Sequence, residues 1–406
     1  MAATRSHRRC NPAAAARSQM KIVIDARRLR DFGIGTYLRN LIPAMAAIDQ
    51  ENEYLLVSFP EDEKLLRNLP ANFRPIPFNR SDRDNSDHVA FPWLIRQLSA
   101  DLCHIPLNQI PLFMPKPYVV TVHDMGRLMF EESPGTVRDL RRFLLRRGLQ
   151  RADSIIAVSA ATRREIHNIV GIPEEDVHVV YNAPDPRFFE HGLLADARAA
   201  GPRARERESQ RILERYQINY PFLLYAGNIR PQKNIPRMVE AFAVVRSELR
   251  DAAKYRDLHL IIIGDTISKY PSVRHAVIQS RVEHCVRFLG FVPFDTLRAF
   301  YELATGFLFP SLYEGFGLPP LEAMAAGTPV LVSNVSSLPE VVGDAAIQVN
   351  PENVFDIARG IKELLLNDKL RSELVNRGRA HAASFSWRNA AEQVTRIYRE
   401  VAQRHR

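Results

Sequence analysis

Cysteine is scarce in this sequence of 406 residues, which contains only Cys10, Cys103 and Cys285. Three widely spaced cysteines exclude a cysteine-based zinc cluster and a disulfide framework, and they are typical of a reducing cytoplasm. Long apolar runs are also missing, because no stretch reaches the roughly 18 apolar residues that a membrane-spanning helix needs. We therefore predict a cytoplasmic protein with no segment that crosses a bilayer.

Residues 1–19 contain no acidic side chain and no periodic apolar face, and their arginines supply four of the nine net positive charges of the chain. The segment also lacks the apolar core of a secretory signal. We interpret it as a disordered extension, with a membrane-surface or targeting role as the alternative. The net charge of +9 suits an anionic partner, which could be a phosphorylated small molecule, an acidic membrane surface or a nucleic acid.

The composition, with 46% hydrophobic and 25% charged residues, is that of a folded globular protein, and the length predicts two or three domains. Short apolar segments alternate with amphipathic ones, which predicts an α/β fold with parallel sheets. Strands are predicted at residues 21–25, 54–58, 102–104, 118–122, 154–158 and 177–180, and again at 222–226, 258–263, 286–290, 306–309, 329–332 and 346–349.

These elements divide into two units of similar size. We predict Rossmann-like domains at residues 20–190 and 219–385, a charged linker or insertion at 191–218, and a last helix within 386–406 that packs back toward the first domain. Two doubly wound domains that face each other place ligands at the carboxyl ends of both sheets.

A glycine-containing turn, Asp31-Phe-Gly-Ile-Gly-Thr36, follows the first strand and precedes a helix predicted from Tyr37 to Ile48. Gly33 and Gly35 let backbone amides approach an anion at the helix N-terminus, although a simple tight turn explains them equally well. Leu38 occupies the third glycine position of a dinucleotide fingerprint, which argues against an NAD-dependent enzyme.

Two further motifs follow predicted strands. His123-Asp124 comes directly after the strand at 118–122, as a ligand site or as a structural histidine. Arg230 and Lys233 lie next to the N-terminus of a helix predicted at 234–249, as a clamp for pyrophosphate or as solvated surface charge.

The most informative segment runs from Ser311 to Met324. It follows a buried strand, and the helix after it is predicted to start near Pro319 with Glu322 in its first turn. Gly315 and Gly317 expose backbone amides that can bind phosphate. Glu314 and Glu322 cannot bind phosphate, so they are expected to bind hydroxyl groups on either side of it, which matches the shape of a nucleotide sugar.

The predicted helix at 136–150 carries five arginines interleaved with apolar residues that include Leu140 and Phe143. Such a helix either lies on an anionic membrane or packs its apolar face inward and solvates its charges. No binding module or aromatic stacking platform supports nucleic-acid binding.

With these motifs in this order, residues from about 20 to 405 resemble a family-4 retaining glycosyltransferase of GT-B fold. The most specific part is the Glu-x7-Glu motif from Glu314 to Glu322, and its Gly-Phe-Gly-Leu-Pro-Pro-Leu-Glu loop resembles mannosyltransferases. Support comes from Gly33-Ile-Gly35, His123-Asp124, residues 152–159, Arg230-Pro-Gln-Lys233 and residues 288–292.

The resemblance implies a role for each motif. Glu314 and His123 would contact the donor sugar, Lys233 would neutralise the leaving diphosphate, and Glu322 would bind the ribose. The remaining donor-binding positions would be the diphosphate-binding amides of Gly33, Gly35, Gly315, Phe316, Gly317 and Leu318, and the base-reading backbone at Phe291 and Val292. Asn228 stands where many members have arginine, which leaves Arg230 as the candidate substitute.

The implied activity is transfer of a hexose from a nucleotide-diphosphate sugar, with GDP-mannose favoured, to a glycan or lipid-linked acceptor. The first domain would bind the acceptor and the second the donor, without a metal or cofactor, at the inner face of the membrane. The alternative is a nucleotide-sugar-binding scaffold that has lost transfer.

Overall fold

The computed structural model describes residues 19–82, 84–107, 109–130, 135–189, 210–265 and 267–405. The predicted extension up to residue 18 and the predicted linker up to residue 209 lie outside the described residues. Of the remaining linker positions, 210–215 are helical.

The first domain contains a seven-stranded parallel sheet in the order β3-β2-β1-β4-β5-β6-β7. Its strands are β1 (Lys21–Asp25), β2 (Glu53–Ser58), β3 (Phe73–Pro77), β4 (Leu102–Ile105), β5 (Tyr118–Val122), β6 (Ser154–Ala157) and β7 (Val177–Val179). The central strands are buried on both faces, which explains why they are continuous apolar runs.

The second domain contains a six-stranded parallel sheet in the order β10-β9-β8-β11-β12-β13. Its strands are β8 (Phe222–Ala226), β9 (His259–Ile263), β10 (Val286–Gly290), β11 (Gly306–Phe309), β12 (Val330–Ser333) and β13 (Ile347–Val349). The strand order reverses between β1 and β4 and between β8 and β11, where doubly wound sheets bind ligands. The predicted fold class is confirmed.

Helices cover both sheets. Those of the first domain are α1 (Ile34–Ile48), α2 (Glu63–Leu66), α3 (Asp87–Leu98), α4 (Gly126–Phe130), α5 (Gly135–Arg151) and α6 (Ala160–Val170). The later ones are α7 (Ile235–Glu248), α8 (Pro271–Gln279), α9 (Phe294–Leu303), α10 (Leu318–Ala326), α11 (Leu338–Val342), α12 (Val354–Leu366), α13 (Asp368–Ala383) and α14 (Trp387–Arg404). Within the described residues, no helix combines the length and the apolar character needed to cross a membrane.

The structure corrects three details of the sequence-based picture. Strand β3 is not among the predicted strands, because Pro75 and Pro77 argue against a strand; it lies at the edge of the sheet, where proline is tolerated. Helix α1 begins at Ile34 rather than Tyr37, so Gly35 lies inside its first turn. Helix α10 begins at Leu318, so Glu322 lies in its second turn.

Both early helix starts have the same cause. The residue before each helix is a glycine with positive φ, +71° at Gly33 and +110° at Gly317, and this conformation turns the chain directly into the helix. Sequence reasoning placed each helix one to three residues later because it counted the glycines as loop.

The last helix, α14, packs against α1 of the first domain. Its buried face, which includes Trp387, Val394 and Val401, belongs to the core beneath β1 and β2. Tyr398 is also buried there, and its Oη lies 2.6 Å from Nδ1 of His104. The chain therefore returns from the second domain to complete the first.

Candidate functional site

The site lies where the loops after β5 and β6 contact the loop after β11. We call this last loop, residues 310–317, the acid loop. Gly315 of the acid loop lies against the backbone that follows β5. A Cβ added at Gly315 would be 1.8 Å from the carbonyl oxygen of His123 and 2.9 Å from Cβ of Asp124. Only glycine allows this approach, which brings Glu314 and His123-Asp124 together at one edge of the cleft.

Hydroxyl groups from both domains hold the acid loop in place. Ser336 donates to the carbonyl of Glu314 at 2.6 Å, and Ser337 donates to the carbonyls of Glu314 and Phe316 at 2.9 and 2.7 Å. From the first domain, Ser159 and Thr162 donate to the carbonyl of Gly315 at 2.6 and 2.9 Å. The acid loop is thus bonded to both domains.

Glu314 forms an ion pair with Lys233. The Nζ of Lys233 lies 2.6 and 2.7 Å from the two carboxylate oxygens, and the two side chains are only 14% and 10% exposed. Lys233 ends the short helical turn Pro231–Lys233. Asn234 follows in the left-handed conformation at φ +59°, and its Nδ2 donates to the carbonyls of Pro310 and Pro351. Two motifs that are 81 residues apart in the chain therefore form one charged pair.

Glu322 faces the cleft from α10. The pKa of its carboxyl is raised to about 7: burial is the largest cause and Asp185 adds to it, whereas a hydrogen bond from Tyr301 at 3.1 Å and the charge of Arg39 oppose it. Arg39 and Asp185 belong to the first domain, so Glu322 lies opposite that domain across the cleft. A carboxyl held in this way gains from any ligand that donates hydrogen bonds to it.

His123 is 9% exposed. Burial lowers the pKa of its imidazole to about 4, although a hydrogen bond with the backbone of Pro106 raises it. The ring also meets Tyr37 edge to face at 4.8 Å. The imidazole is therefore neutral at neutral pH, so it can donate or accept a hydrogen bond but cannot supply a positive charge.

The glycine turn of the first domain meets the end of β10. The rings of Phe32 and Phe291 stack with their centroids 5.1 Å apart, and they are 61% and 57% exposed. A Cβ at Gly35 would be 2.6 Å from the carbonyl oxygen of Leu29, so a side chain at this position would collide with the preceding backbone. The predicted phosphate loop and Phe291 thus lie at the same end of the cleft, with Val292 packed against the core of the second domain.

The other predicted positions differ in their surroundings. Asn228 is half-buried, and its carbonyl accepts a hydrogen bond from Tyr225 at 2.9 Å. The side chain of Arg230 is exposed and lies near Tyr270. Phe316 is buried against Phe385, and Gly317 and Leu318 form the start of α10.

Sequence reasoning missed Asn234, Ser336, Ser337, Tyr313 and Glu165. The two serines follow β12, and their position after a predicted strand was the signal that could have identified them. The described part of the chain contains no cluster of three His, Cys, Asp or Glu side chains suited to a metal. Metal independence stays a prediction.

The sequence matches two family models. Residues 33–188 match "Glycosyltransferase Family 4", and residues 207–381 match "Glycosyl transferases group 1". The chain is 32% identical over 311 residues to the O-antigen chain mannosyltransferase B of Escherichia coli, which covers 76% of each protein. It is 26% identical to the O-antigen chain mannosyltransferase RfbU of Salmonella typhimurium, over 71% of this chain and 70% of that one.

Solved structures show the same architecture. HepE of Anabaena in complex with UDP-glucose superposes with a TM-score of 0.73 at 17% identity, over 94% of this chain and 100% of that one. WaaG, a glycosyltransferase involved in lipopolysaccharide biosynthesis, has a TM-score of 0.69 at 15% identity, over 93% and 99% of the two chains.

The raised pKa of Glu322 predicts a pH-dependent stability. Because the carboxyl binds its proton more tightly in the folded protein, the stability it contributes is fully present below about pH 4.5 and is lost as the pH rises to about 7. The variant Glu322→Gln cannot ionise. Its unfolding free energy relative to the wild type should rise between pH 5 and pH 8, by up to roughly 3 kcal/mol, in urea denaturation.

Glu352→Gln, which removes an exposed acid of the same domain, is the matched control and should show no such pH-dependent difference. Parallel stability curves for Glu322→Gln and the wild type would show that Glu322 is not held in a disfavoured ionised state.

Proposed function

The chain belongs to the glycosyltransferases of GT-B fold, and from this premise we propose that it transfers a mannosyl residue from GDP-mannose to a glycan or lipid-linked acceptor, with retention of anomeric configuration. The relatives named as mannosyltransferases support the sugar. The observation that carries the proposal is the ion pair of Lys233 and Glu314, held at 2.6 Å beside His123 in the cleft.

The ion pair supplies one group for the sugar of the donor and one group for its diphosphate. Sugar hydroxyls donate to the carboxylate of Glu314 in place of the ammonium of Lys233. The ammonium is then free to bind the diphosphate, for which a cation at the start of a helix is well suited. Sugar and phosphate thus take over a contact that the protein makes with itself.

The other donor contacts that we propose involve residues around this ion pair. Glu322 accepts hydrogen bonds from the ribose hydroxyls, which offset the burial of its carboxylate. The amides of Gly315, Phe316, Gly317 and Leu318 and the turn at Gly33 and Gly35 hold the diphosphate. The backbone at Phe291 and Val292 contacts the base, with Arg230 at the exposed edge in place of the arginine that Asn228 replaces.

The reaction breaks the bond between the anomeric carbon and the diphosphate oxygen and forms a bond from that carbon to the acceptor oxygen. Negative charge grows on the departing diphosphate, and Lys233 stabilises it. Neutral His123 supplies no positive charge for this step, and it serves as a hydrogen-bonding group for the sugar near the reacting centre. The acceptor proton leaves with the nucleoside diphosphate, and no metal takes part.

A panel of nucleotides tests the donor. In thermal-shift measurements, GDP and GDP-mannose should raise the Tm by mass action, and more than UDP or UDP-glucose at equal concentration. Transfer should continue in the presence of a chelator. Absence of a shift with every nucleoside diphosphate would contradict the proposal, and binding of GDP-mannose without transfer to any acceptor would favour the inactive scaffold.

Removal of the cation tests the catalytic assignment. Lys233→Ala should lower kcat by about 30- to 1,000-fold, because one charge-stabilising donor contributes roughly 2–4 kcal/mol to the transition state. Lys254→Ala is the matched control, since Lys254 is 60% exposed and pairs with Asp368 on the surface of the same domain. Unchanged turnover in a folded Lys233→Ala protein would count against the assignment.

The acceptor side points to a membrane surface. The basic helix α5 buries Leu145 and Leu149, but Leu140 and Phe143 remain 57% exposed. Exposed arginines flank them, at Arg138, Arg141, Arg142, Arg146 and Arg147. Apolar side chains among cations suit an anionic lipid surface, so we propose peripheral contact of α5 with the inner face of the membrane, where a lipid-linked acceptor would be found.

Vesicle flotation tests the membrane contact. The protein should float with phosphatidylglycerol vesicles, more weakly in high salt, and remain unbound with phosphatidylcholine. The double variant Leu140→Ser/Phe143→Ser should lose most of this binding. The matched double variant Ile278→Ser/Leu366→Ser removes equally exposed side chains from the second domain and should leave vesicle binding intact. Equal binding by all three proteins would place the contact elsewhere.

A further inference from the structure

Tyr313 belongs to the second domain, but both partners of its hydroxyl belong to the first. Its Oη donates to Oε2 of Glu165 on α6 at 2.6 Å and accepts from the backbone amide of Met125 at 2.7 Å. The phenol has a single proton to donate, and it goes to the carboxylate. The side chain is only 4% exposed, so the hydroxyl is bonded in the interior of the interface between the domains.

The ring of Tyr313 is also enclosed by the first domain. It lies 5.4 Å from the ring of Phe130, and a Cβ added at Gly126 would be 3.1 Å from its Cε1. The side chain of Tyr313 thus packs into a pocket formed by residues 125–130 of the first domain. None of these contacts can persist if the two domains separate.

Tyr313 directly precedes Glu314 in the acid loop. The bonds of the Tyr313 hydroxyl therefore contribute to the position of the Glu314 backbone, together with the contact between Gly315 and His123. Neither Tyr313 nor Glu165 is among the residues that bind the donor in the proposed complex. Their bond joins a side chain of the acid loop to helix α6, which also bonds the loop through Thr162 and the carbonyl of Gly315.

We propose that Tyr313 and Glu165 are positioning residues, whose hydrogen bond forms when the domains close and places Glu314 against the donor sugar. This inference rests on the proposed function, because it assumes that Glu314 contacts the donor. It adds a contact that makes correct placement of Glu314 dependent on domain closure.

The electrostatics of Glu165 support a closure-dependent contact. Burial raises the pKa of its carboxyl to about 7; the bond from Tyr313 lowers it, Asp124 raises it and Arg164 lowers it. Separation of the domains uncovers the carboxyl and returns the pKa toward its ordinary value near 4.5. Closure therefore takes up a proton, and it becomes less favourable as the pH rises from about 4.5 to about 7, with no further change above that.

Two variants with different chemistry test the proposal. Tyr313→Phe keeps the ring and removes the hydroxyl, so kcat should fall by about 10- to 100-fold while the KM for the donor changes much less. Glu165→Gln keeps an acceptor for the tyrosine but cannot titrate. It should retain kcat within about threefold, and the ratio of its kcat/KM to that of the wild type should rise between about pH 5 and pH 7, because the wild type alone carries the proton linkage of Glu165.

Tyr255→Phe is the matched control. Tyr255 is also buried, and its hydroxyl donates at 2.7 Å to the carbonyl of Leu365 inside the second domain, so this variant should lose stability without a change in kcat. If the wild type transfers no sugar, the proposed function fails. If the wild type transfers sugar but Tyr313→Phe keeps its kcat, or Glu165→Gln keeps the wild-type pH profile, the positioning role alone is overturned.

Discussion

The contact between Gly315 and the backbone of His123 is the constraint on which the rest of the site depends. With 1.8 Å between a notional Cβ and the carbonyl oxygen of His123, the two domains meet main chain to main chain. Side chains can change rotamer to relieve a clash, but a backbone carbonyl fixed at the end of a buried strand cannot. The acid loop is therefore held in one position on the first domain, which fixes its residues Tyr313 and Glu314 there, and Lys233 pairs with Glu314.

Around this contact, the ionisable groups are each held in a state that a ligand would relieve. Lys233 and Glu314 neutralise each other, Glu322 is buried with a raised pKa, and His123 is buried and neutral. Such arrangements destabilise the folded chain relative to apolar packing, and clusters of perturbed groups in a cleft are typical of functional sites. The donor that we propose supplies hydroxyls and phosphates that fit these groups.

Much of the architecture could be predicted because buried parallel strands appear in the sequence as short apolar runs, and because ligand-binding residues lie at the carboxyl ends of such strands. Strand β3 escaped because Pro75 and Pro77 look like breaks unless the edge position is known. Glu322 was assigned to the wrong helical turn because the conformation of Gly317 is a property of the backbone. The bond between Tyr313 and Glu165 joins residues 148 positions apart, so no local sequence pattern could have predicted it.

The return of α14 to the first domain has a consequence for biosynthesis. The side chains of Trp387, Val394 and Val401 fill the core beside α1 and β1, yet they are translated after the whole second domain. A nascent chain therefore carries a first domain with an unfilled apolar groove while the second domain folds. A chaperone that binds the incomplete first domain during that interval would be released only after the last helix has been translated and has packed into the core.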